Sequence, residues 1–377
     1  MKCLLVIPRW SEQEFLTAST GRPYLDLLLN ALGYADIRLL ELDPETPFDP
    51  NEVPEEYNLV MIQGGSGGRL RRSILSNLGL SLGLDGEESD RLRVVGARPL
   101  HDADGEPVGF AVCRKGRLVM FCETGFWALR QEVQKAIFYF RQEDKLLSRF
   151  RPMHCWMVEG RCELADILPL LSEVEIPQVV LRQLPTGDTA LLFPASMRSE
   201  EGRTLLQQAL GEALYAMEPI ALEDLVFQVL VEKQLTLAVA ESCTAGLLAA
   251  RLTSLAGSSA YFQAGYITYS NESKLLLGVT DSLLERYGAV SQEVALSMAR
   301  GALRASDADL AVSITGIAGP GGGSAEKPVG TVHLAAVAKV GANLELKGFY
   351  LGSRDSVRLQ ASQTAMHLIR RVLGRSY

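Results

Sequence analysis

The chain has 377 residues, enough for two or three domains with apolar cores of their own. Its 47% hydrophobic and 22% charged content is that of an ordinary soluble globular protein. The net charge of −8 argues against a general nucleic-acid-binding surface, which needs clustered Lys and Arg.

Six cysteines without a C-x-x-C pair and four scattered histidines give no zinc-ligand spacing, so reduced thiols in a cytoplasmic protein are expected. The first apolar run, Lys2 to Ile7, is too short for a signal peptide and reads as a buried strand. No stretch has the length of a transmembrane helix, so no membrane partner is expected.

Helical spacing from Tyr24 to Leu32 and a second apolar run, Tyr57 to Ile62, make strand, helix, strand, the start of an α/β unit. Gly64-Gly65-Ser66-Gly67-Gly68 follows that second strand, where such sheets often carry a ligand loop. Phe110 to Cys122 reads as a hairpin turning at Arg-Lys-Gly-Arg, and a helix from Phe126 to Arg141 follows. A small module comes next: strands Val179 to Leu184 and Thr189 to Phe193, joined by Pro185-Thr186-Gly187-Asp188, then a helix over Arg203 to Met217.

The last part opens with a helix from Leu222 to Gln234 and a strand from Thr236 to Ala240. Ser242-Cys243-Thr244-Ala245-Gly246 turns into a helix from Leu247 to Leu255. A strand over Tyr261 to Tyr269, a helix over Ser291 to Ala305 and a strand over Leu310 to Thr315 follow. A glycine loop through Gly319, Gly321, Gly322 and Gly323 precedes an antiparallel pair, Gly330 to Val340 and Leu344 to Tyr350. Arg354 to Leu373 is the closing helix.

The chemistry centres on Ser242. A serine between a buried strand and a helix would put its hydroxyl at the helix N-terminus, where free N–H groups can stabilise an oxyanion. It needs a base. His333 and His367 lie outside turn-rich segments, whereas Lys274, in Tyr269-Ser270-Asn271-Glu272-Ser273-Lys274, can act as a base if desolvation lowers its pKa. By residue type alone, each element has a plainer reading: Ser242 as an N-cap, Lys274 as a solvated cation, the glycine loop as a connection.

Several further motifs surround this serine in a fixed order: Ala-Glu-Ser-Cys-Thr, Ala-Gly-Ser-Ser-Ala-Tyr-Phe, Tyr-Ser-Asn-Glu-Ser-Lys, Gly-Ala-Val-Ser, Thr-Gly-Ile-Ala-Gly-Pro-Gly-Gly-Gly and Glu-Lys-Pro-Val-Gly-Thr-Val. From about Leu222 to Leu373 the chain resembles the C-terminal domain of the CinA family, whose active members are nicotinamide-nucleotide amidases. The resemblance implies deamidation of nicotinamide mononucleotide in pyridine-nucleotide salvage. It also implies a Ser–Lys mechanism without metal or cofactor, and a homodimer.

Carried onto this chain, the resemblance makes Ser242 the nucleophile and Lys274 the general base, with Tyr269 and Thr315 lining the pocket and orienting them. It sets Thr244 and Gly246 near the oxyanion, and makes Arg354 and the Gly319–Gly323 loop phosphate ligands. The family usually reads Ser-Cys-Thr-Gly-Gly. Here the fourth residue is Ala245, expected to be helical and harmless rather than at positive φ.

The implied fold class is α/β throughout. It comprises a three-layer molybdopterin-binding-like domain over residues 1–165, a small α+β KH-like linker module over 166–218 and an α/β amidase domain over 219–377. The module has no Gly-x-x-Gly loop, so RNA binding is not expected. In the first domain the family loop Thr-Gly-Gly-Leu-Gly-Pro-Thr-x-Asp-Asp is replaced, and its acidic pair falls on Arg71 and Arg72. Hard divalent cations want carboxylates, which these arginines are not. The early Gly-x-Glu segment is also missing around Pro8-Arg9-Trp10-Ser11, and Cys122-Glu123-Thr124-Gly125 replaces Pro-Gly-Val-Pro.

The domain therefore reads as a pseudoenzyme, or as an anion site built on Arg69, Arg71 and Arg72, with the pseudoenzyme preferred. For the whole chain, the alternatives to the amidase are a non-catalytic interaction protein and an ADP-ribose pyrophosphatase acting through the first domain. The intact set Ser242, Tyr269, Lys274 and Thr315 counts against the first alternative, and the missing carboxylates count against the second.

Overall fold

The computed structural model describes residues 1–8, 15–42, 46–64, 68–84, 92–102, 104–123, 126, 129–143, 153–161, 179–194, 200–340 and 343–374. Gly65-Ser66-Gly67, Arg9-Trp10-Ser11, Thr124-Gly125 and Cys162 lie outside the described residues. The chain forms two compact units, Met1–Cys155 with Leu192–Arg198, and Trp156–Leu191 with Ser199–Tyr377.

The first unit runs β1 (Lys2–Pro8), α1 (Phe15–Ala31), β2 (Asp36–Leu42), β3 (Tyr57–Gln63), α2 (Gly68–Asn77), β4 (Ser81–Leu84), β5 (Leu92–Val95), β6 (Arg98–His101), β7 (Pro107–Arg114), β8 (Arg117–Cys122) and α3 (Arg130–Glu143). Its main sheet has the order β2-β1-β3-β8-β7-β6, parallel from β2 to β8 and antiparallel beyond. Alternate residues of the buried strands serve two cores. Leu5, Leu59 and Met61 meet Leu25 and Leu29 of α1 and Val133 and Ile137 of α3. Val6, Val60 and Ile62 meet Leu70 and Ile74 of α2. Helices therefore cover both faces, as continuous apolar strands require.

The strand β2 has no counterpart in the sequence reading. It is an edge strand, mostly exposed, and its mixed residues Asp36-Ile37-Arg38-Leu39-Leu40-Glu41-Leu42 follow no clean alternation. The hairpin of β7 and β8 turns where expected. Lys115 (φ 50°) and Gly116 (φ 71°) both take the left-handed conformation that a tight two-residue turn needs.

A smaller sheet has the order β10-β11-β9-β12, from β9 (Met153–Val158), β10 (Val180–Gln183), β11 (Thr189–Pro194) and β12 (Leu214–Ala216). The helix expected over Arg203 to Met217 is instead α4 (Glu200–Leu210), a single 3₁₀ turn over Gly211–Ala213, and then β12. Gly211, at φ 50°, ends the helix, and Leu214-Tyr215-Ala216 pairs with β9.

The remaining elements are α5 (Leu222–Lys233), β13 (Leu237–Glu241), α6 (Leu247–Leu252), β14 (Phe262–Ile267), α7 (Asn271–Leu275), α8 (Asp281–Tyr287), α9 (Gln292–Ser306), β15 (Leu310–Gly316), β16 (Thr331–Ala338), β17 (Leu344–Phe349) and α10 (Arg354–Val372). Their sheet has the order β14-β13-β15-β16-β17, with β14, β13 and β15 parallel and the last two antiparallel.

Ala238, Ala240, Ala311 and Ala335 form a flat face on which Val294, Ala295, Met298 and Ala302 of α9 pack. Small strand residues let the helix sit close. The helix α10 packs on β15 and β16 and against α5 and α6. At Gly301 a Cβ would lie 1.9 Å from the Leu277 carbonyl oxygen, so α9 presses directly on the segment that follows α7. The carboxyl ends of the three parallel strands gather the candidate residues, as expected for an open α/β sheet.

Candidate active site

All five residues of β13 are buried, and the next residue, Ser242, is held by its N–H donating to the Ile314 carbonyl of β15 at 2.9 Å. The sequence places Ser242 directly before a helix. In the structure the helix α6 begins only at Leu247, and Ser242 to Gly246 form an intervening turn. The N-terminal donors of α6 are already used. The buried Glu241 carboxylate accepts from the N–H groups of Gly246 (3.0 Å), Leu248 (3.1 Å) and Ala249 (2.8 Å). Glu241 is therefore the cap of this helix, and Ser242 is free of that duty.

Two expectations for this turn are corrected. The Gly246 N–H points to Glu241 and is not a spare oxyanion donor. Ala245 is not helical: its φ is 48°, followed by 91° at Gly246. A residue with a Cβ in that region costs about 1–2 kcal/mol, which accounts for glycine at this place in the family pattern. The Thr244 N–H has no hydrogen-bond partner among the described residues, and neither does the buried Thr244 hydroxyl, while the Cys243 N–H turns to its own thiol. Burial pushes the Cys243 thiol up to about 12, so it stays protonated beside the serine.

Lys274 sits on the short helix α7, whose N-cap Ser270 accepts from the Ser273 N–H at 3.1 Å. Its side chain is 1% exposed, and its Nζ lies 3.1 Å from Ser242 Oγ. The same nitrogen donates to the carbonyls of Thr268 (2.8 Å), Tyr269 (3.4 Å) and Ser270 (3.5 Å). Desolvation lowers its pKa, with the neighbouring Cys243 acting weakly the other way. No carboxylate pairs with it among the described residues. A neutral amine here has two N–H bonds for the backbone carbonyls and one lone pair for the serine hydroxyl.

Tyr269 reaches the lysine through its backbone carbonyl only. The residue is 56% exposed, and its phenol oxygen accepts from Arg354 Nη2 at 2.8 Å. Arg354 Nη1 donates to the Gly319 carbonyl at 2.6 Å, so this guanidinium joins the tyrosine to the glycine loop at the rim. In that loop Gly319 and Gly322 take φ of 85° and 86°, and Gly321 has open space around it. Lys327 ties the loop down, donating to the carbonyls of Tyr287 and Val290 at 2.8 Å each.

Thr315 is fully buried, and its hydroxyl donates to the Ala289 carbonyl at 2.8 Å rather than to Ser242 or Lys274. It braces β15 against the segment before α9. Neither histidine of this region meets the serine: His333 pairs with Gln292 at 3.2 Å, and His367 with Asp188 at 3.0 Å.

Two residues escaped the sequence reading. One is Glu241, whose signal is an acidic residue ending an otherwise apolar strand. The other is Arg358, one helical turn after Arg354, whose Nη2 donates to the Thr244 carbonyl at 2.9 Å. The spacing of four residues in Arg354-Asp355-Ser356-Val357-Arg358 puts both guanidinium groups on one side of α10.

Residues 220–373 match the model of the CinA C-terminal domain. A CinA-like protein of Geotalea daltonii is 50% identical over 218 residues, covering 58% of this chain and 52% of that protein. A CinA-like protein of Geobacter sulfurreducens is 47% identical over 188 residues, covering 48% of this chain and 45% of that protein. These alignments thus span about half the length of the curated relatives they match. A competence-damage inducible protein of Caldicellulosiruptor bescii is 33% identical over 288 residues, covering 73% of this chain and 69% of that protein. Among solved structures, a competence/damage inducible protein from Agrobacterium tumefaciens is 46% identical with a TM-score of 0.39, covering 40% of this chain and 94% of that one. By the site motifs and the extent of these matches, the chain belongs to the CinA family.

Proposed function

We propose that the C-terminal region hydrolyses the carboxamide of nicotinamide mononucleotide, giving nicotinate mononucleotide and ammonia. The observation that carries this reading is the buried Lys274 Nζ, 3.1 Å from Ser242 Oγ and without a carboxylate partner among the described residues. A lysine in that setting loses its proton more easily than one in water, so it can accept one from the serine.

In this mechanism Ser242 Oγ attacks the carboxamide carbon as its proton passes to Lys274. The three carbonyls around Nζ then favour the ammonium that forms. Negative charge on the former carbonyl oxygen is taken by the unpaired Thr244 N–H that follows the serine. Lys274 returns the proton to the departing amine, which leaves as ammonia. Water, deprotonated by the same lysine, cleaves the acyl-serine and frees the acid. Arg354, set between Tyr269 and Gly319, is positioned for the substrate phosphate, and the Gly319–Gly323 loop offers backbone N–H groups beside it.

The test is ammonia release from nicotinamide mononucleotide by the full chain, with and without EDTA. Release by the wild type that persists in EDTA and disappears in Ser242→Ala is expected. Undiminished release by a folded Ser242→Ala chain would sink the reading.

A further inference from the structure

The helix α10 carries a row of buried polar groups that the proposed reaction does not use. Asp188, in the turn before β11, is 2% exposed. Its carboxylate accepts from the Gly160 N–H at 3.0 Å, from Gln363 Nε2 at 2.5 Å and from His367 Nε2 at 3.0 Å. The other end of the same Gln363 amide accepts from Arg251 Nη2 at 2.5 Å. Arg251 also donates to Ser362 Oγ at 2.6 Å and pairs with the buried Glu223 at 2.7 Å.

A fully buried carboxylate and guanidinium are expensive, and apolar residues of similar size would usually hold helices together as well. What the polar set supplies is direction. With Asp188 below it, the Gln363 amide can present only its oxygen to Arg251. Arg251 lies on α6, the helix that continues from the serine turn, and Arg358 of the same α10 grips that turn at the Thr244 carbonyl. Between these two grips lie Ala245 and Gly246, both at positive φ, a backbone that relaxes unless its ends are fixed.

We infer that Asp188 is a positioning residue for Ser242, acting through Gln363 and Arg251 to fix the turn that aims the nucleophile. The small module is thereby a working part of the site and not only a linker. The inference rests on Ser242 being the nucleophile, and its test separates the two claims.

The full chain is labelled with an organophosphorus fluoride, which reports serine reactivity without any nicotinamide substrate, and amide hydrogen exchange is followed over Leu247–Leu252. Both are measured well below the melting temperature. Asp188→Asn keeps the shape and removes the charge. It is expected to label about tenfold more slowly than wild type and to exchange faster in that helix, as a small misplacement of a reacting group does. For the amide substrate, kcat falls and KM holds. Arg371→Gln loses only a partly exposed pair with Glu159 at the far end of the same helix, and keeps the wild-type labelling rate.

Wild-type labelling and exchange in Asp188→Asn overturn the inference, even if its melting temperature drops. Should that variant fail to fold, Gln363→Met cuts the same link one residue further on, and its labelling rate decides. If wild type itself is not labelled, the amidase reading falls, and exchange in α6 alone decides whether Asp188 holds this segment.

Discussion

Two buried parallel strands in this chain are each followed closely by a helix: β3 by α2, and β13 by α6. After the second strand comes Ser242, facing a lysine that is 1% exposed and without a carboxylate partner among the described residues. The first leads to Arg71, one-third exposed and paired with Glu123 at 2.7 Å. The difference lies in solvation, not in topology. Burial without a counter-charge turns a lysine into a base. A guanidinium beside a carboxylate stays a cation whatever surrounds it, and can only bind or pair. The α/β plan thus offers positions for a site, and the site itself depends on which cation is stripped of water.

The comparison breaks most easily at Lys274. Lys274→Met is expected to lower kcat for amide hydrolysis on the order of 10⁴-fold, the upper end of what a positioned general base contributes. Circular dichroism and the melting profile check that the fold survives. Activity in that variant near the wild-type level would mean that solvation of this lysine has no bearing on the chemistry.

The pH dependence sharpens the same point. The working form is the neutral amine, so kcat/KM rises with pH through the lysine pKa and levels above it. Because desolvation lowers that pKa, the rise falls below the ordinary lysine value of 10.5. The sign for stability agrees. Between the lowered folded pKa and 10.5 the unfolded chain binds more protons, so stability contributed by this group increases as pH rises through that window. A pH–rate profile with no acidic limb in that range contradicts the assignment.

Next in size is Gly301→Ala. The new Cβ would fall 1.9 Å from the Leu277 carbonyl oxygen, backbone against backbone, so α9 or the segment after α7 must move. A loss of about 2 kcal/mol in denaturant unfolding is expected. Amide hydrolysis should fall with it, because that segment directly follows α7, which carries Lys274. Unchanged stability would show that α9 does not set the lysine's position.

Much of this was legible in the sequence, and the misses have physical causes. The inner parallel strands were plain because they are buried on both sides and read as unbroken apolar runs, as in Leu237-Ala238-Val239-Ala240, whereas the exposed edge strand β2 was not. Ser242 and Lys274 were found through ordered motifs, and their 3.1 Å approach is a tertiary fact that spacing alone does not give. The helix α7 went unseen because five residues are too few for a period. β12 was absorbed into a helix because Leu214-Tyr215-Ala216 continues the apolar spacing past Gly211.

The backbone at Ala245 was misread because alanine is a helix former, and propensity says nothing about a conformation imposed by Glu241 and Arg358 from either side. Thr315 was expected to line the pocket and orient the serine and lysine, whereas its hydroxyl donates to the Ala289 carbonyl. Which way a strand-end side chain hydrogen-bonds is settled by packing that the sequence does not display.

Ala245→Gly tests that conformation directly. With φ at 48°, removing the Cβ should stabilise the chain by about 1 kcal/mol, measured by chemical denaturation. The gain is partly offset by the greater freedom of glycine in the unfolded chain. Because the turn geometry is unchanged, kcat should hold. Destabilisation would place Ala245 back in a helical conformation.

The smallest effect is expected on the other side of the comparison. Arg71→Gln removes a guanidinium whose side chain is one-third exposed and paired with a similarly exposed Glu123. Such a pair contributes less than about 1 kcal/mol, because water already screens both charges. Arg71 also lies in the first turn of α2, where positive charge opposes the helix dipole, so its removal returns part of even that small loss. Stability should therefore shift by only a few tenths of a kcal/mol, and ammonia release should not change. A tenfold loss of amidase activity in Arg71→Gln would mean that α2 participates in the reaction after all, and the contrast between a stripped lysine and an arginine beside a carboxylate would no longer separate a working strand end from an idle one.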